Sequence, residues 1–469
     1  MKTLPLRRAL SNNCANKLEA KIEEMGEKRK VLRGKQWGSL IAGVLVIGFV
    51  GIILTKSHAP KLVKDEEIPM KYLTIIDAGS SGCRAHVFKY KTVQGQVQVE
   101  AEHPNLKVRP GLSSFANDPQ KAGDSIKGLL DFMREHIPVA ERSSAPVYLK
   151  ATAGLRMLPI QKSSAILDSV KKIFRESEFA FDDDHGAIII QGTDEGGFGW
   201  LSVNFLFKKL KKQDTLTVVE MGGASAQVTS LHAVAPKKKK NLRGSKLPDG
   251  YEFNLKLDGN SYSLYAKSYL GYGLEQAREK VSTYLLESKA QTDPCLPKGF
   301  SPKKNSDNVY DGVLPGSGDV NKCQKIILDA LFPPSSACTF DFCSGIQAAF
   351  QPKSLPEKPV LAFENFFYTQ QMLGLDVKVP NDFAQAAPLV CDATWAELEA
   401  SDFPKDGSQK SDLTKICFSA LYLPTFLTKG LGFPSDKPLR IQQSVGNFGI
   451  DWSLGAAIRE ANLLAHHHQ

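Results

Sequence analysis

The 469-residue chain contains no Asn-x-Ser/Thr acceptor, so glycosylation gives no sign of a secretory location. No histidine stands at metal-ligand spacing beside its cysteines, which argues against a zinc framework. No aromatic residue interleaves the basic run Lys237–Lys240, which therefore reads as a solvated loop and not as a nucleic-acid contact. Charge is missing altogether from Trp37 to Thr55, and no other apolar run reaches spanning length.

That one run, taken as residues 37–56, is long enough for a helix of about 20 residues to cross a bilayer. It follows a tail rich in Arg and Lys, including Arg7, Arg8, Arg29 and Arg33. The positive-inside rule keeps residues 1–36 in the cytosol and places residues 57–69, a polar stem, and everything after them on the far side. A cleaved signal peptide fits less well, because the basic region is too long and no small-residue cleavage site follows. The chain thus reads as a single-pass type II protein of the Golgi or endoplasmic reticulum membrane. The cell surface is the alternative, since signal anchors look alike in these compartments. Much of the formal charge of +9 lies in the tail, where it sets orientation and does not indicate a nucleic-acid partner.

Beyond the stem, two segments repeat one pattern: an apolar strand, an acid, then small residues. They are Ile75-Ile76-Asp77-Ala78-Gly79-Ser80-Ser81-Gly82 and Val218-Val219-Glu220-Met221-Gly222-Gly223-Ala224-Ser225. A strand that opens into such a turn lets backbone N–H groups converge on phosphate oxygens, while the acid can hold a divalent cation through water. Around the first turn the periodicity predicts strands at 71–76, 84–90 and 96–102, a helix at 121–137, a strand at 147–152, a helix at 163–176 and a strand at 186–191. The order then restarts with strands at 215–220, 226–232, 251–257 and 262–268 and a helix through 273–288. Two domains or one duplicated domain suit this length, and duplication would set the turns facing each other across a cleft. The Pro-, Gly- and Cys-rich stretch 290–360 reads as loops held by disulfides. Six cysteines lie there and beyond, with connectivity open from sequence, and Cys83 reads as a buried free thiol.

Five stretches, in order, carry a resemblance: Asp77–Phe88, Lys150–Leu158, Gln191–Leu206, Glu220–Val228 and Asp451–Ala457. They resemble the signature regions of the apyrases, the nucleoside triphosphate diphosphohydrolases. Pro110–Phe115, Ala266–Leu274 and Asp293–Pro297 look most like the single-anchor Golgi guanosine and uridine diphosphatases. The resemblance implies an α/β, actin/Hsp70/hexokinase-like fold of two ribonuclease-H-like domains with the active site between them. Domain I would span 70–190 and be completed by 440–465, and domain II would span 191–439. It also implies the disulfides Cys295–Cys323 and Cys391–Cys417, while Cys338–Cys343 suits a small local loop.

Hydrolysing a terminal phosphate requires neutralised phosphoryl oxygens, an in-line water and a base. Ser80, Ser81 and Gly82 would grip phosphates from one side, and Gly222, Gly223 and Ala224 from the other. Asp77 and Glu220 would order water around one Ca²⁺ or Mg²⁺, with Thr152 and Trp452 completing the surroundings as the resemblance implies. Glu195 matches the family's catalytic glutamate and is the candidate base, just ahead of a helix expected at 197–210. Ser225 and Gln227 match residues that position the water, and alternate spacing puts both on one strand face. Arg156 matches the second motif and reads equally as a structural ion pair. Phe367 or Tyr368 would stack on the base. The fourth motif usually begins with Asp, so Glu220 is a departure that moves the carboxylate by about 1.5 Å. Substrates expected are GDP and UDP, with ADP and ATP for a broader surface apyrase. A sugar kinase of the same fold and a nucleotide-binding pseudoenzyme are the further rivals.

Overall fold

The computed structural model describes residues 68–210, 214–235, 246–302, 314–334, 337–402 and 412–467. The expected anchor at 37–56, with the tail and nearly all of the stem, lies outside the described residues, and no helix among those described is long and apolar enough to cross a membrane.

The first sheet holds β1 (Lys71–Ala78), β2 (Cys83–Val93), β3 (Gln96–Glu102), β5 (Val147–Ala151) and β6 (Ala187–Ile189) in the order β3-β2-β1-β5-β6, with the short β4 (Leu106–Val108) paired to β2. In the second, β7 (Thr217–Met221), β8 (Ser225–Ala235), β9 (Glu252–Leu257), β10 (Asn260–Leu270), β11 (Val360–Glu364) and β12 (Leu439–Ile441) run β12-β11-β7-β8-β10-β9. Each sheet has an antiparallel hairpin, β1-β2 or β7-β8, and two further strands added parallel to its first strand, β5 and β6 or β11 and β12. The repeated order expected from sequence is therefore present in the mixed α/β, two-sheet architecture.

Strand alternation decides which side chains meet. On β1, Leu73 and Ile75 face one apolar cluster, while Ile76 and Ala78 face another, together with the helices Lys127–His136 and Ile160–Arg175. On β7, Val218 faces the Leu73 cluster, while Val219 and Met221 pack in a third with the disulfide-linked helices. The shared central cluster is filled by two helices, Gly192–Leu206 and Trp452–His467. Burial of the first nearly all round explains why it shows no amphipathic stripe. The two helices meet where a Cβ on Gly455 would lie 2.0 Å from the Phe198 carbonyl, a contact only glycine allows.

Three expectations need correction. The single helix at 121–137 is two, Pro119–Ser125 and Lys127–His136, broken at Ile126. The helix expected to begin at 197 begins at Gly192, because Gln191 and Asp194 form a capping box. The segment 290–360 is not all loop: Val320–Leu331 is a helix, capped by Asp319, whose side chain accepts from the Lys322 N–H. The bridges Cys295–Cys323, Cys338–Cys343 and Cys391–Cys417 are all formed, and Cys83 is a buried free thiol.

Candidate active site

The two acid-and-glycine turns are the loops of the two hairpins, and they match in closing hydrogen bond and in register. The Gly79 N–H donates to the Gly82 carbonyl at 3.0 Å, and the Gly222 N–H donates to the Ser225 carbonyl at 3.0 Å. Asp77 sits opposite Arg84 on β2, as Glu220 sits opposite Gln227 on β8. Because Asp77 continues the Leu73–Ile75 face and Glu220 continues the Val218 face, both carboxylates point toward the central helices. The second turn is braced from behind. The N–H groups of Leu274 and Glu275, at the start of the helix Leu274–Glu287, donate to the carbonyls of Gly222 and Gly223 at 2.9 Å each. Those otherwise unpartnered helix-end donors fix the loop. The turns also approach each other, since a Cβ on Gly223 would lie 3.0 Å from the Ser80 hydroxyl.

Between them lies a cleft of about 670 Å³ open to solvent. It brings together Asp77, Ser80, Ser81, Gly82, Thr152, Glu195, Glu220, Gly222, Gly223, Ala224, Ser225 and Trp452, twelve of the residues singled out from sequence. Glu195 is in the first turn of its helix and 6% exposed. Its neighbour Asp194 points away to accept the Gln191 N–H at 3.1 Å, so adjacent acids have separate roles.

Arg156 joins Glu195, the candidate base, to Ser225 and, through it, Gln227. Its Nη2 donates to Glu195 Oε2 at 2.8 Å and to Ser225 Oγ at 3.3 Å, and its Nη1 donates to the Ile190 carbonyl at 3.0 Å. Gln227 Nε2 donates to Ser225 Oγ at 2.6 Å. Ser225 Oγ accepts twice, which leaves its own O–H to donate. Gln227 Oε1 is buried without a protein hydrogen bond, as are Asp77 Oδ1 and Glu220 Oε2. An unpaired carboxylate oxygen in a buried site is costly unless a cation or water meets it.

Electrostatics point the same way. Burial, with Glu195 and Asp451 adding to it against Arg84 and His86, pushes Asp77 up to about 7. Burial and the neighbouring Glu195, Glu364, Asp77 and Asp451 hold Glu220 well above the usual carboxylate range. Burial also raises Glu195, opposed by Arg156. These acids share a cleft that a divalent cation would relieve, and oxygen donors are what Ca²⁺ and Mg²⁺ prefer. The residues fit such an ion, with Asp77 and Glu220 best placed by their free oxygens.

Arg84, Lys107, Glu364 and Asp451 also line the cleft but had no role in the sequence reading. Arg84 was legible in principle, being the hairpin counterpart of Gln227. Lys107 reaches in from β4 and donates to Ser81 Oγ at 3.0 Å. Glu364 was not legible: alternation on β11 would send it with Val360 and Ala362 into the third apolar cluster, away from the cleft, but its φ of 58° turns the chain there. Gln443 holds the turned residue, accepting the Glu364 N–H at 3.0 Å and donating to its carboxylate at 3.1 Å. Phe367 and Tyr368 do not line the inner cavity. They pack edge to face at 5.9 Å, and Tyr368 is 38% exposed beside Arg84 and Glu364. Asn204 is scaffold, bonded to the backbone of Trp200 and Leu216.

The GDA1/CD39 (nucleoside phosphatase) family profile matches residues 63–469. Among curated relatives, "Probable apyrase 6" of Arabidopsis thaliana is 31% identical over 83% of this chain and 72% of that protein. "Ectonucleoside triphosphate diphosphohydrolase 2" of Mus musculus is 29% identical over 91% of this chain and 89% of its own length. The solved nucleoside triphosphate hydrolases of Neospora caninum share the fold, with a TM-score of 0.57 at 15% identity over 84% of this chain and 93% of theirs.

Proposed function

The chain belongs to the GDA1/CD39 (nucleoside phosphatase) family and is a phosphoanhydride hydrolase, and we propose that it removes the terminal phosphate of nucleoside diphosphates, GDP and UDP foremost, by direct attack of water. The observation that carries this reading is the meeting, between two phosphate turns, of Glu195 and Ser225, with Gln227 bonded to Ser225, and of Asp77 and Glu220, each with one buried carboxylate oxygen left unpaired.

A bound Ca²⁺ or Mg²⁺, held by Asp77 and Glu220 through water with Thr152 and Trp452 nearby, would neutralise charge on the phosphates. The turn residues Ser80, Ser81, Gly82, Gly222, Gly223 and Ala224 grip the phosphate oxygens, and Arg84 and Lys107 add positive charge on one side. Ser225 and Gln227 hold the attacking water with the hydroxyl proton and the free amide oxygen. Glu195 takes that water's proton as the new P–O bond forms and the bridging P–O bond breaks, and Arg156 fixes the carboxylate's direction. No residue takes up the phosphoryl group. Phe367 or Tyr368 stacks on the base at the cleft's outer edge, a contact tolerant of base identity.

In the same reading the fold is a duplicated ribonuclease-H-like pair, domain I at 70–190 with 440–465 and domain II at 191–439. The anchor at 37–56 places both in the lumen of the Golgi or endoplasmic reticulum. Phosphate release by the purified protein across GDP, UDP, ADP and ATP, with Ca²⁺ or Mg²⁺ and with chelator, tests the activity. Diphosphates should turn over faster than triphosphates, and chelator should abolish both. Equal or faster ATP turnover would instead make it a broad apyrase, and protease protection of the chain beyond residue 57 in sealed vesicles tests the topology.

A further inference from the structure

Behind the cleft wall, three ionisable side chains meet that no step above uses. His86 on β2 is fully buried, and its Nδ1 lies 2.7 Å from Glu102 Oε1 on β3 and 3.6 Å from Asp451 Oδ2. The other carboxylate oxygens are also engaged. Glu102 Oε2 accepts the Gly449 N–H at 3.3 Å, and Asp451 Oδ1 accepts the Ser453 N–H at 2.8 Å, capping the final helix. The segment from Gly449 to Trp452 thus meets the first sheet at two points, directly at Glu102 and, for Asp451, through the imidazole. At its end, Asp451 and Trp452 form part of the cleft wall.

We propose that His86 is a positioning residue: with its Nδ1–H donated to Glu102 and Asp451 in electrostatic contact at 3.6 Å, it holds the Asp451–Trp452 wall at the distance from Glu220 that the hydrolytic site requires. Two carboxylates flanking Nδ1 enforce the tautomer that donates from that nitrogen. His86 Nε2, by contrast, is buried and has no hydrogen-bond partner. Without a donor at Nδ1, two carboxylates in one buried cluster have nothing between them, and Asp451 is the one free to move, toward the cleft. Trp452 then moves with it. The nearest part of the Glu220 wall, at Gly199, has room for only a methyl group between Glu220 Oε2 at 3.5 Å and Trp452 Cβ at 4.0 Å.

The inference rests on the phosphohydrolase reading, and the wild-type rate measured beside the variants tests that reading separately. The test compares two polar substitutions in the purified full chain. His86→Asn places an amide N–H near the Nδ1 position, and His86→Gln places it near Nε2, out of reach of the carboxylates. His86→Gln should raise the divalent-cation concentration for half-maximal phosphate release, and lower kcat, by about tenfold or more, with KM for nucleotide little changed, as expected when a group orienting the site is lost. His86→Asn should recover most of both. In an Asp451→Asn background, His86→Gln should cost little more, because the interaction it serves is already altered. Equal losses in the Asn and Gln variants, or losses that multiply with Asp451→Asn, would overturn the proposal. So would one transition-metal ion per chain retained by the wild type and lost in both variants, since His86 would then be a ligand.

Discussion

Of the four glycines in the helix Gly192–Leu206, Gly199 is the one whose replacement should separate stability from activity. A Cβ on Gly192 would lie 2.2 Å from Ser268 Cβ, on Gly196 2.5 Å from Thr229 Oγ1, and on Gly197 2.4 Å from the Phe253 ring. On Gly199 the nearest atoms, Glu220 Oε2 and Phe363 Cζ, are 3.5 Å away, an ordinary contact. Alanine is favoured over glycine in a helix interior by about 1 kcal/mol, so Gly199→Ala should gain up to that much. In a chain of this size the melting temperature then rises by about 2 °C. The same methyl crowds the unpaired Glu220 oxygen, where a bound water must approach to about 2.8 Å. A displacement of even a fraction of an ångström at such a site should lower kcat about tenfold. Thermal melts by circular dichroism and phosphate release on one preparation read both effects, with Gly197→Ala as the overpacked control expected to lose about 1–3 kcal/mol. A Gly199→Ala protein that melts lower than the wild type, or that keeps the wild-type rate, would refute the reasoning.

Glu220→Asp withdraws the carboxylate by about 1.5 Å and should change the ratio of Ca²⁺- to Mg²⁺-supported rates several-fold; an unchanged ratio detaches Glu220 from the cation. Cys83, which burial pushes up to about 12, should hold about one part in ten thousand of thiolate at pH 8. Mass spectrometry should therefore find its peptide unalkylated in the native protein and alkylated after denaturation. Lys150 on β5 donates to Glu460 on the final helix at 2.9 Å, with side-chain exposures of 3% and 10%. Lys150→Met should cost about 3 kcal/mol in denaturant titrations by leaving the buried acid with only Arg459, 3.5 Å away, and Lys150→Met with Glu460→Leu should recover most of it.

What could be read before folding was what local pattern dictates. Asp77 and Glu220 end apolar strands, and the small residues after them allow only a tight turn, so the duplicated hairpins and their clefted arrangement were legible. The disulfide framework was legible through resemblance and, for Cys338–Cys343, through local spacing. Residues brought in by tertiary geometry were not. Glu364 obeys strand alternation until its φ of 58° turns it into the cleft, and Lys107 enters from a three-residue strand that no periodicity marks. The helix Val320–Leu331 hid among prolines, glycines and cysteines because its flanks carry the loop composition. The start of the helix at Gly192 was missed because its glycines argue against helix locally; burial between two sheets overrides that preference.

The account turns on Glu195 as the group that accepts the water's proton. Glu195→Gln keeps the side chain's volume and its place beside Arg156 while removing the basic carboxylate. Phosphate release from GDP and UDP under saturating Ca²⁺ or Mg²⁺ should fall by about 10²–10⁴, with nucleotide binding retained. Turnover in the variant within a few-fold of the wild type would contradict the assignment and with it the mechanism built on the cleft.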